Sequence, residues 1–345
     1  MASEVWRQRL DSPRWLPHRL DILGDRMLVA EVDEAICHQA TFLEGETFKP
    51  KALHEVQDLW SVVEEHVPAA TPSLGIFHVG HCGSTLLSRA IQEIATVTAL
   101  REPAIFRMAA GFSRDRTSAL ALMSPQRCDA LVATIFDWLS RRFEPTRPAV
   151  VKATSDCCNV AMKWLDHHRE NRMVALTMKA ESFLVTMLRS TIREEETRGF
   201  AVSRLADFHR LTGDDQLRLG DLDAASLAAL SWVSTTAQLI ASVDQHVSRS
   251  QLIDFEQWLR SPVPMTQSVA EHMGLTVKPD EVDAVLNRLL SRYSKDGSMQ
   301  YGVAQRNEEL DHFRKAKADQ IASGLRWIER TVEKYPQLQP LRDWI

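Results

Sequence analysis

Short, mostly apolar runs recur along this chain and are separated by longer stretches of helical period. The apolar runs fall at residues 73–79, 97–100, 149–153, 173–178 and 251–255. Runs of that length with little polar alternation predict strands buried on both faces. Helical periodicity predicts helices over 84–94, 125–142, 160–169, 181–198 and 224–246. Strands alternating with helices imply a parallel sheet covered on both sides. Beyond residue 255 the pattern is almost all helix, over 265–273, 280–291 and 308–333. Ahead of the sheet, residues 1 to about 50 hold turn residues and short strand-like pieces such as 26–32. Residues 52–66 read as an amphipathic helix with Leu53, Val56, Leu59, Trp60 and Val63 on one stripe, broken at 69–72. The expected organisation is an N-terminal extension over 1–70 and one α/β domain over 71–345 with helical C-terminal additions.

Composition narrows the function classes. The chain has 345 residues, 44% hydrophobic and 25% charged, the mix of an ordinary globular protein. Its net charge of -5 gives no global basic field for nucleic acid or anionic lipid, so an anionic ligand needs a local site. The N-terminus lacks the apolar core of a signal peptide. No apolar run approaches the roughly 18 residues that span a bilayer. Neither a nucleic-acid nor a membrane partner is expected. The five cysteines, Cys37, Cys82, Cys128, Cys157 and Cys158, are odd in number and include a vicinal pair. That is no disulfide framework, and it points to a reducing cytoplasm.

The most informative stretch runs from Ile76 to Arg89, with Gly80-His81-Cys82-Gly83-Ser84-Thr85-Leu86-Leu87 at its centre. It reads as strand, glycine turn, helix. A helix start offers unpaired N–H groups and a positive dipole end to an anion. Gly80 and Gly83 let the backbone approach a phosphate, and Ser84 and Thr85 can donate hydroxyls. An ordinary tight strand–helix connection is the alternative. Three known loop chemistries fail. A Walker A reading from Gly75 to Gly80 puts His81 and Cys82 where Lys and Ser/Thr belong. A thiol phosphatase needs five residues between Cys and Arg, and six separate Cys82 from Arg89. The G-x-S-x-G elbow is absent.

The segment resembles the phosphosulfate loop of the sulfotransferase family, G-R-S-G-[ST]-T-L-L, with His81 and Cys82 replacing its second and third residues. The resemblance implies a P-loop NTPase-like fold and binding of 3′-phosphoadenosine 5′-phosphosulfate, with Gly80, His81, Cys82, Gly83, Ser84, Thr85 and Leu86 around the phosphosulfate. It runs, with gaps, from about Ser73 to Trp327. Leu100-Arg101-Glu102-Pro103 is similar to the family's acidic turn, which makes Glu102 the base for the acceptor proton; the alternative is a solvated loop carboxylate. Lys152 resembles the strand-end lysine that offsets charge on the bridging oxygen, or else it is a snorkelling strand-end side chain. His81 joins these two as the third catalytic candidate. The family's R-[DN]-P element is missing. Lys179 and Thr186 stand near its cation and hydroxyl, and Lys295 and Arg306 fall where a late loop covers the nucleotide. The implied reaction is sulfuryl transfer to a hydroxyl or amine of a small molecule, glycan or peptide, with no metal required. A homodimer is compatible with this reading. Two alternatives stay open: a P-loop small-molecule kinase and a non-catalytic nucleotide-binding relative. His78, His81, Cys82, Cys157 and Cys158 suggest a metal only on composition, since His78 and Gly80 point oppositely on a strand and no C-x-x-C or H-E-x-x-H spacing occurs.

Overall fold

The computed structural model describes residues 2–68, 71–293, 296–300 and 302–345. The chain opens with α1 (Ala2–Leu10) and an antiparallel sheet of β1 (Trp15–Asp21), β2 (Arg26–Glu31) and β3 (Leu53–Gln57), with α2 (Glu34–Gln39) between β2 and β3. Residues 53–57 were expected to be helical and are not. Val56 is buried opposite Met27 of β2, while Glu55 and Gln57 face out, a period of two rather than 3.6. Asp58, with a left-handed φ of 61°, ends the strand, and the helix is confined to α3 (Leu59–Glu64). The extension shares one core with the rest, in which Leu10, Val29 and Val56 are buried together with Phe106 and Leu131.

The central sheet has β4 (Leu74–His78), β5 (Thr98–Arg101), β6 (Ala149–Lys152), β7 (Arg172–Thr177) and β8 (Ser250–Asp254), all parallel, in the order β5-β6-β4-β7-β8. Every position of β4, β5 and β6 is buried, as the continuous apolar runs require. From β4 the chain first builds outward on one side, through β5 and β6, and then crosses to β7 and β8 on the other. That reversal opens a crevice beyond the carboxyl end of β4, where α/β sheets place their ligands.

Helices α4 (Ser84–Ile94), α5 (Ala104–Asp115), α6 (Pro125–Ser140) and α7 (Ala161–His167) follow the first three sheet strands. The periodicity over 104–115 was not anticipated. The stretch expected as one helix over 181–198 is two, α8 (Ala180–Leu188) and α9 (Thr191–Thr212). Ser190 separates them and caps α9, accepting a hydrogen bond from the Arg193 N–H at 3.4 Å. Helix α10 (Ala224–Gln245) is long and apolar enough, at a hydropathy of 1.3, to match a membrane span by length and composition, contrary to expectation. Trp232, Leu230 and Leu239 are buried in the protein core. The C-terminal part adds α11 (Phe255–Arg260), α12 (Pro262–His272), α13 (Pro279–Leu290), a two-stranded ribbon of β9 (Arg292–Tyr293) and β10 (Asp296–Gln300), α14 (Val303–Ala316) and α15 (Ala318–Lys334). Residues 308–333, expected as one helix, divide at Lys317. Lys295 lies outside the described residues.

Asp137 of α6 ties three elements together. Its carboxylate meets His167 Nε2 at 2.8 Å and His66 Nε2 at 2.9 Å, and its side chain is only 3% exposed. Burial alone would raise its pKa, but the two imidazole hydrogen bonds override it and hold the carboxyl at about 2, below its ordinary 3.8. A depressed carboxylate contributes stability above its unfolded pKa and loses it as pH falls through the folded one. Here the contribution is about 2 kcal/mol. We therefore expect Asp137→Asn to be less stable than wild type at neutral pH, with the gap closing as pH falls from 3.8 toward 2. Urea unfolding midpoints of both proteins across that window check this; a gap that does not change with pH refutes it.

Candidate active site

Strand β4 ends in a turn with three left-handed residues. Gly80, His81 and Gly83 have φ of 94°, 53° and 74°. At Gly83 the glycine is required twice over, because a Cβ there would also lie 2.2 Å from Phe255 Cε2. His78 holds the start of the turn. Its Nδ1 accepts from the Gly80 N–H at 3.0 Å, which leaves the ring proton on Nε2 to donate to the Ala153 carbonyl at 2.9 Å. The strand end is thereby stapled to the end of β6. Helix α4 begins at Ser84, and its first internal bond runs from the Leu87 N–H to the Gly83 carbonyl at 2.9 Å. The N–H groups of Ser84, Thr85 and Leu86 thus have no acceptor within the helix.

Glu102 and Lys152 meet at the ends of β5 and β6. The Glu102 N–H donates to the Lys152 carbonyl at 2.7 Å, and Glu102 has a left-handed φ of 50°. Lys152 Nζ donates to Glu102 Oε1 and lies 5.5 Å from the Phe42 ring centroid. The lysine is 1% exposed. A non-glycine residue with positive φ is uncommon, and strain of this kind concentrates where function holds it. Two of the four such residues in the described chain, His81 and Glu102, face the same cleft.

Arg101, next to Glu102, is also 1% exposed, and its guanidinium binds the carbonyls of Ala40, Cys37 and His38 and the Gln92 side chain. Burial pushes it down to about 10, so it stays cationic at neutral pH. Leu43 completes the clasp, donating to the Arg101 carbonyl at 2.7 Å. This brings Phe42 and Glu44 of the extension into the cleft.

The cleft has a volume of about 410 Å³. Of the residues expected to form the site, it gathers Gly80, His81, Gly83, Ser84, Thr85, Leu86, Glu102, Lys152, Thr186 and Arg306. Two expectations need correction in place. Cys82 is fully buried, its thiol donates to the Leu176 carbonyl at 3.6 Å, and burial pushes it up to about 12. It packs under the loop and is no thiolate. Lys179 precedes α8 and turns away, its Nζ bonding the Asp343 carbonyl and lying 5.9 Å from the Trp344 ring centroid. Thr186 lines the cleft, but its hydroxyl donates to the Ser182 carbonyl at 2.8 Å within α8. Arg306 stands over Phe255, 4.9 Å from the ring centroid, and binds Glu256 at 2.7 Å.

The sequence reading missed Arg107, Ser155, Arg189, Arg193 and Glu196, all in the cleft lining. Arg107 binds Glu44 at 2.9 Å. Ser155 accepts from the buried Arg204 at 3.2 Å. Arg193 Nη1 and Glu196 Oε1 each lie 2.8 Å from His81 Nε2, and Arg193 also reaches Glu196 Oε2 at 2.9 Å. Burial opposes the Glu196 charge, but hydrogen bonds from His81 and Arg193 hold its carboxyl at about 2. The spacing Arg189, Arg193, Glu196 along one helical face was the available signal, and reading 181–198 as a single helix hid it. Among the described residues, no group of three or more His, Cys, Asp or Glu side chains could hold a metal.

A β-strand, glycine turn and helix at the switch point of a parallel sheet define an α/β protein of the P-loop type. No protein-family model matches the sequence, and no curated protein matches it. In shape the chain is similar to solved sulfotransferases. One is the sulfotransferase domain from the curacin biosynthetic pathway, at 15% identity over 68% of this chain and 82% of that one, with a TM-score of 0.43. Another is the sulfotransferase from Alicyclobacillus acidocaldarius, at 16% identity over 76% and 97%, with a TM-score of 0.37. A third similar chain is retinol dehydratase in complex with androsterone and inactive cofactor PAP, at 12% identity over 76% and 81%, with a TM-score of 0.38.

Two substitutions test the construction of the site. Gly83→Ala combines a left-handed backbone with the Phe255 overlap and is expected to cost at least about 2 kcal/mol of stability. Arg101→Met leaves several buried carbonyls unpaired and is expected to cost about 3 kcal/mol. Urea unfolding of each purified variant measures both. Wild-type midpoints would show that the loop and the clasp are not held as described.

Proposed function

We propose that the protein transfers a sulfuryl group from 3′-phosphoadenosine 5′-phosphosulfate to a hydroxyl or amine acceptor. The observation that carries this is the convergence on one cleft of the left-handed loop at Gly80–Gly83 with the paired Glu102 and Lys152, each from the end of a different strand. The residues fit such a donor. The loop and the start of α4 offer N–H groups to an anion, and Arg107, Lys152, Arg189, Arg193 and Arg306 bring positive charge. Phe255, Leu259, Leu290, Val303 and Leu310 give an apolar wall for a flat base.

When bound, the donor supplies the activated sulfuryl group. The chain's own residues do the rest. Ser84 and Thr85 orient the anion from the head of α4. Lys152, buried and fixed against Glu102, is placed to offset charge that grows on the bridging oxygen. Glu102 is the carboxylate positioned to take the acceptor's proton. Phe42, Glu44 and Arg107 border the same end of the cleft, so the acceptor would enter past the N-terminal extension. Catalysis on this reading is mainly positioning and charge stabilisation.

Calorimetric titration with 3′-phosphoadenosine 5′-phosphate, with ATP plus magnesium alongside, tests the reading. We expect the bisphosphate to bind, and Ser84→Ala or Lys152→Ala to weaken it about tenfold, the worth of one charge-assisted hydrogen bond. Binding of ATP in place of the bisphosphate would favour a kinase, and binding of neither would end the proposal.

A further inference from the structure

An anion seated on residues 79–86 meets no lysine or arginine from the loop itself. The only side chain there that can carry positive charge is His81. A loop with a single imidazole is a weak anchor for a multiply charged phosphate, because the imidazole is cationic for only part of the physiological pH range. A permanent cation does reach the loop from another element. Arg193, in the first turn of α9, places Nη1 at 2.8 Å from His81 Nε2.

The contacts around that imidazole cannot all be satisfied at once. If His81 Nε2 carries a proton, it donates to Glu196 Oε1 at 2.8 Å, and Arg193 Nη1 then faces another donor. If Nε2 carries none, it accepts from Arg193 and its lone pair faces the Glu196 oxygen. Arg193 and Glu196 meanwhile bind each other at 2.9 Å. Two donors gathered around one carboxylate at the mouth of an anion loop form the arrangement an incoming oxyanion would make. The carboxylate belongs to the chain, and its side chain is 33% exposed, so it can swing out.

We infer that Arg193 supplies the cation for an anion held by residues 80–85, and that Glu196 occupies the anion's place beside His81 and Arg193 until the anion displaces it. An entering phosphate or phosphosulfate oxygen would accept from both His81 and Arg193, removing the donor–donor conflict, while Glu196 turns toward solvent. This rests on the anion-binding role of the cleft proposed above, and depends on the identity of the donor only through one of its two probes.

The test is calorimetric titration of the full-length protein with inorganic pyrophosphate and, separately, with 3′-phosphoadenosine 5′-phosphate. Arg193→Gln is expected to weaken both by about tenfold or more. Arg193→Lys should recover part of the loss, since it restores charge without the fork. Glu196→Gln is expected to tighten both by about threefold, having lost the competing charge. Far-ultraviolet circular dichroism of each variant confirms folding, and the lysine variant serves if the glutamine variant does not fold. Wild-type affinity in Arg193→Gln, weakened binding in Glu196→Gln, or no pyrophosphate binding by wild type would overturn the inference. Pyrophosphate binding with the variant effects intact, but no binding of the bisphosphate, would uphold it and overturn only the sulfuryl-transfer reading.

Discussion

The pairing of Lys152 with Glu102 is the constraint around which the upper edge of the sheet is arranged. A lysine 1% exposed is unfavourable unless an opposite charge reaches it, and the penalty for an uncompensated buried charge is several kcal/mol. The compensating carboxylate must come from the next residue after β5, and a right-handed backbone there would not deliver it. Glu102 accordingly sits at a φ of 50°. Arg101 and Leu43 then hold that turn from behind, and the N-terminal segment is drawn across the edge of the sheet. One ion pair thus dictates a strained residue, a buried arginine clasp and the position of the first forty-odd residues.

The same logic explains which parts could be read from the sequence. The five sheet strands are buried on both faces, so their apolar runs stood out, and each was placed within about two residues. The loop at Gly80–Leu87 was legible because glycine spacing before a helix has few uses. Lys152 and Glu102 were legible only as strand-end residues, and nothing in the local sequence announces that they touch. Residues 53–57 misled because Leu53, Val56 and Leu59 fit a helical stripe; the pairing of Val56 with Met27, a contact between distant segments, decides for the strand. Lys179 misled for the opposite reason. Its position after β7 suits a phosphate cation, but a carbonyl near the C-terminus claims the side chain. The arginines of α9 went unseen because Ser190, one capping hydroxyl, breaks the helix and re-aims everything after it.

The cleft also shows how a protein with a net charge of -5 can present a cationic site. Its arginines are held by carboxylates that themselves lie on flexible or partly open ground: Glu44 with Arg107, Glu256 with Arg306, Glu309 at 3.8 Å from Arg189. Charge is stored in pairs and faces inward, so the field is local and the outer surface stays acidic.

The contact between Gly83 and Phe255 links distant parts of the chain in another sense. The ring fills the space that glycine leaves open, and its other role is to support Arg306. A lineage that replaced Gly83 with a larger residue would need a smaller one at Phe255, and would then lose the platform beneath Arg306. The three positions therefore cannot drift one at a time: in descendants of this chain they should be retained together or exchanged together, a correlated signature that links the first loop of the sheet to the C-terminal helices.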